Sequence, residues 1–211
     1  MARVHAARDK QEFTIILETL EKNHGLKARW LAELTALWAL RISDLLAIKT
    51  AQIDEAFKRG EFTIKEKKTS KSKTITLTEH AIKLLNEMRS KYPRDQYLFE
   101  SNYGNRRLSI SRQTAWRWMT EIETTIITWR KQNGKLGGIN LGTHSLRKSG
   151  SRLRQQHGVT LEELQLLLNH SRPETTVCYL DNREQDLIDT YSKGDQALFN
   201  NVNKSENLTG K

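Results

Sequence analysis

The stretch NHSRPETTVCYL (residues 169–180) places Tyr179 nine positions after His170, and three other stretches carry groups of related chemistry. THSLRKSG (143–150) holds His144 and Arg147 at i, i+3, which sets both on one face of a helix. ALRISDLLAI (39–48) holds Arg41, and KKTSKSKTITL (67–77) holds Lys67, Lys68, Lys71 and Lys73. Two guanidiniums offer bidentate forks to the non-bridging oxygens of one phosphodiester, and imidazoles add donors to the same group. A tyrosine hydroxyl, with an ordinary pKa near ~10, becomes a nucleophile when cations stabilise the forming phenolate. A lysine on a hairpin tip can protonate the leaving 5′ oxygen. Singly, each group has an ordinary role: Arg41 as a core-edge arginine paired with Asp44, His170 as a satisfied histidine at a helix end, Tyr179 as a half-buried aromatic. Together they make a clamp for pentacoordinate phosphorus. The protein's own cations then supply the charge that Mg²⁺ supplies in other phosphoryl transfers.

The elements that must position these groups are mostly helical. KQEFTIILETLEK (10–22) reads as a helix stopped by Asn23, His24 and Gly25, and a second helix runs from Lys27 to Ile48, with Leu31, Leu34, Trp38, Ile42 and Leu45 on its apolar face. The period then changes from about 3.6 to 2: EFTIKEK (61–67) and KTITL (73–77) flank the turn TSKS and form a hairpin with Lys67, Lys68, Lys71 and Lys73 at its tip. A helix capped by Thr78 runs to Pro93. SISRQTAWRWMTEIETTIITWRK (109–131) forms one more, with Ala115, Met119, Ile122, Ile126 and Trp129 as its core face. Thr143 caps the helix of THSLRKSG, which Gly158 closes. Thr160 and Glu163 form a capping box for LEELQLLL, which ends at Asn169, a residue tolerant of the left-handed conformation. Pro173 opens a last short helix, capped by Ser171, that carries Tyr179 two turns in. The fold class is mainly α with a small antiparallel β-hairpin.

Composition narrows the partner. Of 211 residues, 36% are apolar and two are proline, which fits one principal domain. Formal net charge is +10, which favours a polyanion through counterion release. Aromatic stacking repeats of the kind single-strand binders use are missing, so duplex DNA is the expected partner. Arg112, Gln113, Trp116 and Arg117 make a basic, amide-bearing helix edge that fits a major groove or, in the plainer reading, is a solvated face. Lys67, Lys71 and Lys148 join them as candidate DNA contacts. A single cysteine, Cys178, has no partner for an intrachain disulfide and reads as bystander packing. No CxxC pair or HExxH motif is present, so neither metal nor cofactor is expected. No apolar run reaches the roughly 20 residues of a membrane span, and MARVHAARDKQEF lacks a secretory signal, so the expected place is the cytoplasm, on the nucleoid.

These boxes resemble those of the tyrosine recombinases, the phage integrase family. ALRISDLLAI looks like the first arginine box, THSLRKSG matches HxLR, LLLNHSRPETTVCYL matches LGHxxxxTTxxYxx, and KKTSKSKTITL looks like the hairpin of the family's lysine, in a register that points to Lys68. The resemblance spans residues 31–180 and departs at Ala39 and Asn169, where members usually have glycine, and at Lys148, where a histidine is frequent. It implies that Tyr179 attacks the scissile phosphate to leave a 3′-phosphotyrosyl link and a free 5′ hydroxyl. Arg41, Arg147 and His170 stabilise the transition state, His144 exchanges the tyrosine's proton, and Lys68 is the general acid. It also implies strand exchange through a Holliday junction in a homotetramer on paired inverted sites in double-stranded DNA, without ATP, and it admits accessory DNA-bending factors.

Members commonly carry an N-terminal DNA-clamping domain ahead of these boxes, so the chain reads as an excised catalytic domain or a short single-domain member. A catalytic domain over 1–182 and a tail over 183–211, helical to about 199 and then disordered, is the expected division. The helix of that tail docks on a neighbouring subunit in the resembling family. Two rival readings share the fold: a DNA-binding regulator without chemistry, and a type IB topoisomerase, which relaxes supercoils instead of exchanging strands.

Overall fold

A computed structural model describes residues 4–102, 107–135, 138–180 and 191. The chain divides into a unit of residues 1–180 and a second of 181–211. Apart from Tyr191, the second unit lies outside the described residues, and with it the expectation of a docking tail helix.

The first unit runs α1 (Lys10–His24), α2 (Leu26–Trp38), α3 (Ile42–Leu45), α4 (Thr50–Arg59), β1 (Glu61–Lys65), β2 (Ser72–Thr76), α5 (Glu79–Lys91), α6 (Arg112–Glu121), α7 (Glu123–Gln132), α8 (Thr143–Gln156), α9 (Leu161–Leu168) and α10 (Pro173–Leu180). The mainly helical class with one antiparallel hairpin is as expected. β1 and β2 pair from Glu61 opposite Thr76 to Lys65 opposite Ser72, and their alternation buries Phe62, Ile64, Lys73 and Ile75. Lys73 is therefore an inward residue of β2, not part of an exposed tip.

Packing is centred on α2, whose Ala28, Leu31, Ala32 and Leu34 are almost wholly buried. α8 crosses it so closely that a Cβ added at Gly150 would lie 2.3 Å from the Ala36 carbonyl oxygen. Between α1 and α7, Glu12 is fully buried against Arg130, whose Nε donates over 2.9 Å. That pair satisfies two charges that could not be buried singly.

The long helix expected from Lys27 to Ile48 is broken. α2 stops at Trp38, Ala39 turns left-handed at φ 49°, and Arg41 is extended at φ −69°, ψ 144° before the single turn of α3. Apolar spacing continues through the break because both sides face the same core, so periodicity alone does not reveal it. The expected helix over 109–131 likewise divides at Ile122 into α6 and α7. Gly142, not Thr143, holds the cap position of α8, and its N–H donates to the Ser145 hydroxyl. The Thr160–Glu163 capping box and the left-handed Asn169 (φ 55°) are found as expected. Among the described residues, no helix is long and apolar enough to cross a membrane, and no cluster of His, Cys, Asp or Glu could hold a metal ion.

Candidate active site

Arg41 follows the end of α2 on extended backbone, and its side chain is largely buried. Its Nη1 lies 2.9 Å from Glu66 Oε1. The expected partner, Asp44, does other work: its Oδ1 accepts the Lys67 backbone N–H at 2.9 Å and so fastens the start of the hairpin turn. Glu66, one residue past the end of β1, continues the inward alternation of Phe62 and Ile64 and is fully buried. Burial raises its pKa, but the Thr69 hydroxyl, donating at 2.7 Å, and the Arg41 and Arg147 guanidiniums together hold the carboxyl below its ordinary value. Asn169 Nδ2 donates to the same carboxylate at 3.2 Å. One carboxylate thus links Arg41, the hairpin turn and the residue before His170.

The lysines of the hairpin separate by position. Lys67 and Lys68 are exposed on the turn, and Lys71, half-buried, donates from Nζ to the Ser171 hydroxyl at 2.6 Å. That last bond ties the hairpin to the segment just after His170.

α8 presents His144 and Arg147 on one face, as the i, i+3 spacing requires. Arg147 is almost fully buried, with Nη2 donating to the Leu168 carbonyl at 2.6 Å. His144 is exposed on its helix, yet its pKa is lowered, first by lost hydration and then by the charges of Arg147, Arg41, Lys68 and Arg112. His170 follows the left-handed Asn169. Its Nδ1 and the buried Thr176 hydroxyl are 3.0 Å apart. Burial, then Arg147 and Arg41, push its pKa down to about 4. Both shifts favour the neutral imidazole near pH 7.

Tyr179 packs edge-on against the His170 ring, with centroids 5.6 Å apart, and the Arg147 guanidinium lies 5.6 Å from the Tyr179 ring centre. Burial pushes the phenol up to about 12, against the pull of Arg147 and Arg41. Its hydroxyl is buried and has no hydrogen-bond partner among the described residues, and the same holds for Arg147 Nε. A nucleophile and a charged donor left unsatisfied in one buried place form an arrangement that a phosphate group completes. Arg41 and Arg147 bear on His144, His170 and Tyr179 alike, and Lys68 bears on His144. The six residues expected from sequence thus lie within electrostatic reach of one another, with His170, Arg147 and Tyr179 in direct ring contact.

The expected DNA contacts divide. Arg112, Gln113, Trp116 and Arg117 are exposed on α6, and Arg112 is near enough to act on His144. Lys148 is corrected: it is buried, with Nζ donating to the Val4 carbonyl at 3.2 Å and lying 5.5 Å from the Tyr179 ring centre. Its place on α8 turns it inward, toward Val4 and the Tyr179 ring, so it is not part of an exposed basic edge. Sequence reasoning missed Glu66, and met Thr176 only as one of the paired threonines of the tyrosine box, without a role. A carboxylate at an inward position of an alternating strand was the available signal for the former, because such a group needs a cationic partner. Of Cys178 only the backbone is described.

The family model described as the phage integrase family matches residues 8–186. A probable integrase/recombinase of Bacillus subtilis, YoeC, is 31% identical over 142 residues, covering 67% of this chain and 70% of its own. The tyrosine recombinase XerA of Pyrococcus furiosus is 25% identical over 171 residues, covering 81% of this chain and 55% of its own. In fold, the chain is similar to a lambda integrase in the crystal structure of a tetramer bound to a Holliday junction, with TM-score 0.63, 19% identity and coverage of 87% of this chain and 50% of that one. The chain spans about half the length of the first curated relatives it matches. With the arginine, lysine, histidine and tyrosine boxes assembled around one buried hydroxyl and the family model matched over most of its length, the chain belongs to the phage integrase family.

Proposed function

We propose that this chain is the catalytic domain of a site-specific DNA recombinase, which cleaves and rejoins duplex DNA through a covalent bond to Tyr179. The observation that carries the proposal is the buried, unpartnered Tyr179 hydroxyl beside a buried arginine with an unpartnered Nε. Tyr179 Oη attacks the scissile phosphorus, the P–O5′ bond breaks, and a 3′-phosphotyrosyl link forms. The tyrosine's proton passes to His144, which is neutral at working pH, and Lys68 on the exposed turn protonates the departing 5′ oxygen. Arg41, Arg147 and His170 hold the non-bridging oxygens as charge develops on them. A 5′ hydroxyl of the partner strand then attacks the phosphotyrosine and restores the tyrosine. The link conserves the phosphodiester, so no ATP enters.

The proposed substrate is double-stranded DNA with paired inverted sites, approached through Arg112, Gln113, Trp116 and Arg117 together with Lys67 and Lys71. A homotetramer on two such sites is the proposed assembly, and accessory DNA-bending factors fit this scheme. Work on DNA fits a protein of the cytoplasm, held on the nucleoid. Residues 1–182 are proposed as the catalytic domain and 183–211 as a tail that docks on a neighbour.

The test is incubation with a nicked duplex carrying the site from the protein's native locus, where loss of a short strand traps the covalent product. A protein–DNA adduct is the expected result. DNA binding without adduct would instead make the chain a regulator, and relaxed circles on DNA of any sequence would make it a topoisomerase.

A further inference from the structure

Lys73 has no place in the chemistry above, yet it occupies an unusual position. It lies on the inward face of β2, between the apolar positions of a two-stranded sheet, and is largely buried. A buried ammonium carries a large desolvation cost unless it is hydrogen-bonded. Here its partners are backbone carbonyls: Nζ donates to Trp38 O at 2.7 Å, to Ala39 O at 3.4 Å and to Leu167 O at 2.5 Å.

Those three oxygens belong to the C-terminal ends of two helices, α2 and α9. Helix ends leave their last carbonyls unpaired and carry partial negative charge, so a cation is favoured there. At α2 the provision is complete. Arg154 donates to Ala36 O at 2.8 Å and Leu37 O at 2.7 Å, and Lys73 takes the next two carbonyls. At α9, Lys73 takes Leu167 O and Arg147 takes Leu168 O. Both helices then turn left-handed on a residue other than glycine, Ala39 at φ 49° and Asn169 at φ 55°. Arg41 stands two residues beyond the first turn and His170 one residue beyond the second. A single ammonium therefore joins the two segments that launch two of the transition-state donors.

We infer that Lys73 is a positioning residue, whose ammonium joins the carbonyl ends of α2 and α9 and so sets the spacing of Arg41 and His170 across the reacting phosphate. The inference rests on the recombinase reading above. Lys73 touches carbonyls and not substrate, so its effect reaches the chemistry through geometry. Misplacement of such groups by about 1 Å costs on the order of 100-fold in rate.

The charge of Lys73 gives the role a signature. Burial, and then Arg147, Arg41 and Arg154, lower its pKa to about 7, against the attraction of Glu66. Glu66 is held ionised by its cationic neighbours, His144 is pushed below its ordinary value, His170 is pushed down to about 4 and Tyr179 up to about 12. Above about pH 7 the amine therefore has two N–H donors for three carbonyls, and the junction loosens. A guanidinium at the same position keeps its charge.

The experiment measures adduct formation on the nicked substrate at limiting DNA, which reports groups of the free enzyme, with DNA affinity and thermal melting measured beside it. We expect Lys73→Met to bind DNA within about threefold of the parent and to form adduct on the order of 100-fold more slowly. Lys73→Arg should recover most of the rate, and should lose a descending limb near pH 7 that the parent shows. Parental cleavage by Lys73→Met, or no recovery in Lys73→Arg, would overturn the inference. If Lys73→Met does not fold, the pH profile of Lys73→Arg decides: retention of the limb overturns the inference and its loss supports it. A parent chain that binds its site and forms no adduct would overturn the recombinase reading itself, and this inference with it.

Discussion

Arg41 and Arg147 act on the same neighbours but are held differently. Arg147 is buried and anchored by one carbonyl, and keeps Nε unpaired, while Arg41 is neutralised in part by Glu66. Removing either preorganised donor should cost about 3 kcal/mol or more in the transition state, so Arg41→Ala and Arg147→Ala should each slow adduct formation by about 100-fold to 1000-fold. Single-turnover cleavage checks the loss, and a gel-shift assay should show binding far less affected. Lys68→Ala should be slow on an ordinary substrate and near the parent rate when the leaving 5′ oxygen is replaced by sulfur, since a thiolate leaves without a proton. Rescue of Lys67→Ala or Lys71→Ala in its place would move the general acid along the turn. The six catalytic candidates were nominated from sequence because each lies within a short box of characteristic spacing. Their partners were not. Glu66, Lys73 and the inward turn of Lys148 depend on pairings between residues far apart in sequence, and local spacing carries no information about those.

Elements that rest on local chemistry were the ones sequence could place. Thr78 caps α5, the Thr160–Glu163 box opens α9, and Asn169 closes it in the left-handed region. The break after Trp38 was hidden, because Ala39 has no preference for the left-handed conformation it adopts and the apolar stripe continues past it. The glycine that the family usually has at this position, and at Asn169, suits the positive φ found at both. The crossing of α2 and α8 is a close one. A methyl group added at Gly150 would meet the Ala36 carbonyl oxygen at 2.3 Å and the Ala36 Cα at 2.8 Å. Both are backbone atoms that cannot rotate aside, so Gly150→Ala should destabilise by about 1–3 kcal/mol through overpacking. Thermal melting followed by circular dichroism measures this. An unchanged melting temperature would show that the helices separate freely.

At the scale of the molecule, a net charge of +10 is a statement about a polyanionic partner and not about fold. If the chain neutralises about six phosphates, its affinity for duplex should fall on the order of 1000-fold between about 50 and 200 mM salt. Tyr179→Phe should keep the same salt slope in a fluorescence titration, because only a hydroxyl is lost. That separation of binding from chemistry leads to the measurement that bears most directly on the central claim. The covalent adduct trapped on the nicked substrate is digested, and the peptide carrying the nucleotide is identified by mass spectrometry. The account predicts attachment at Tyr179, and DNA binding without any adduct from Tyr179→Phe. Attachment at another residue, such as the exposed Tyr191, or an adduct formed by Tyr179→Phe, would contradict it.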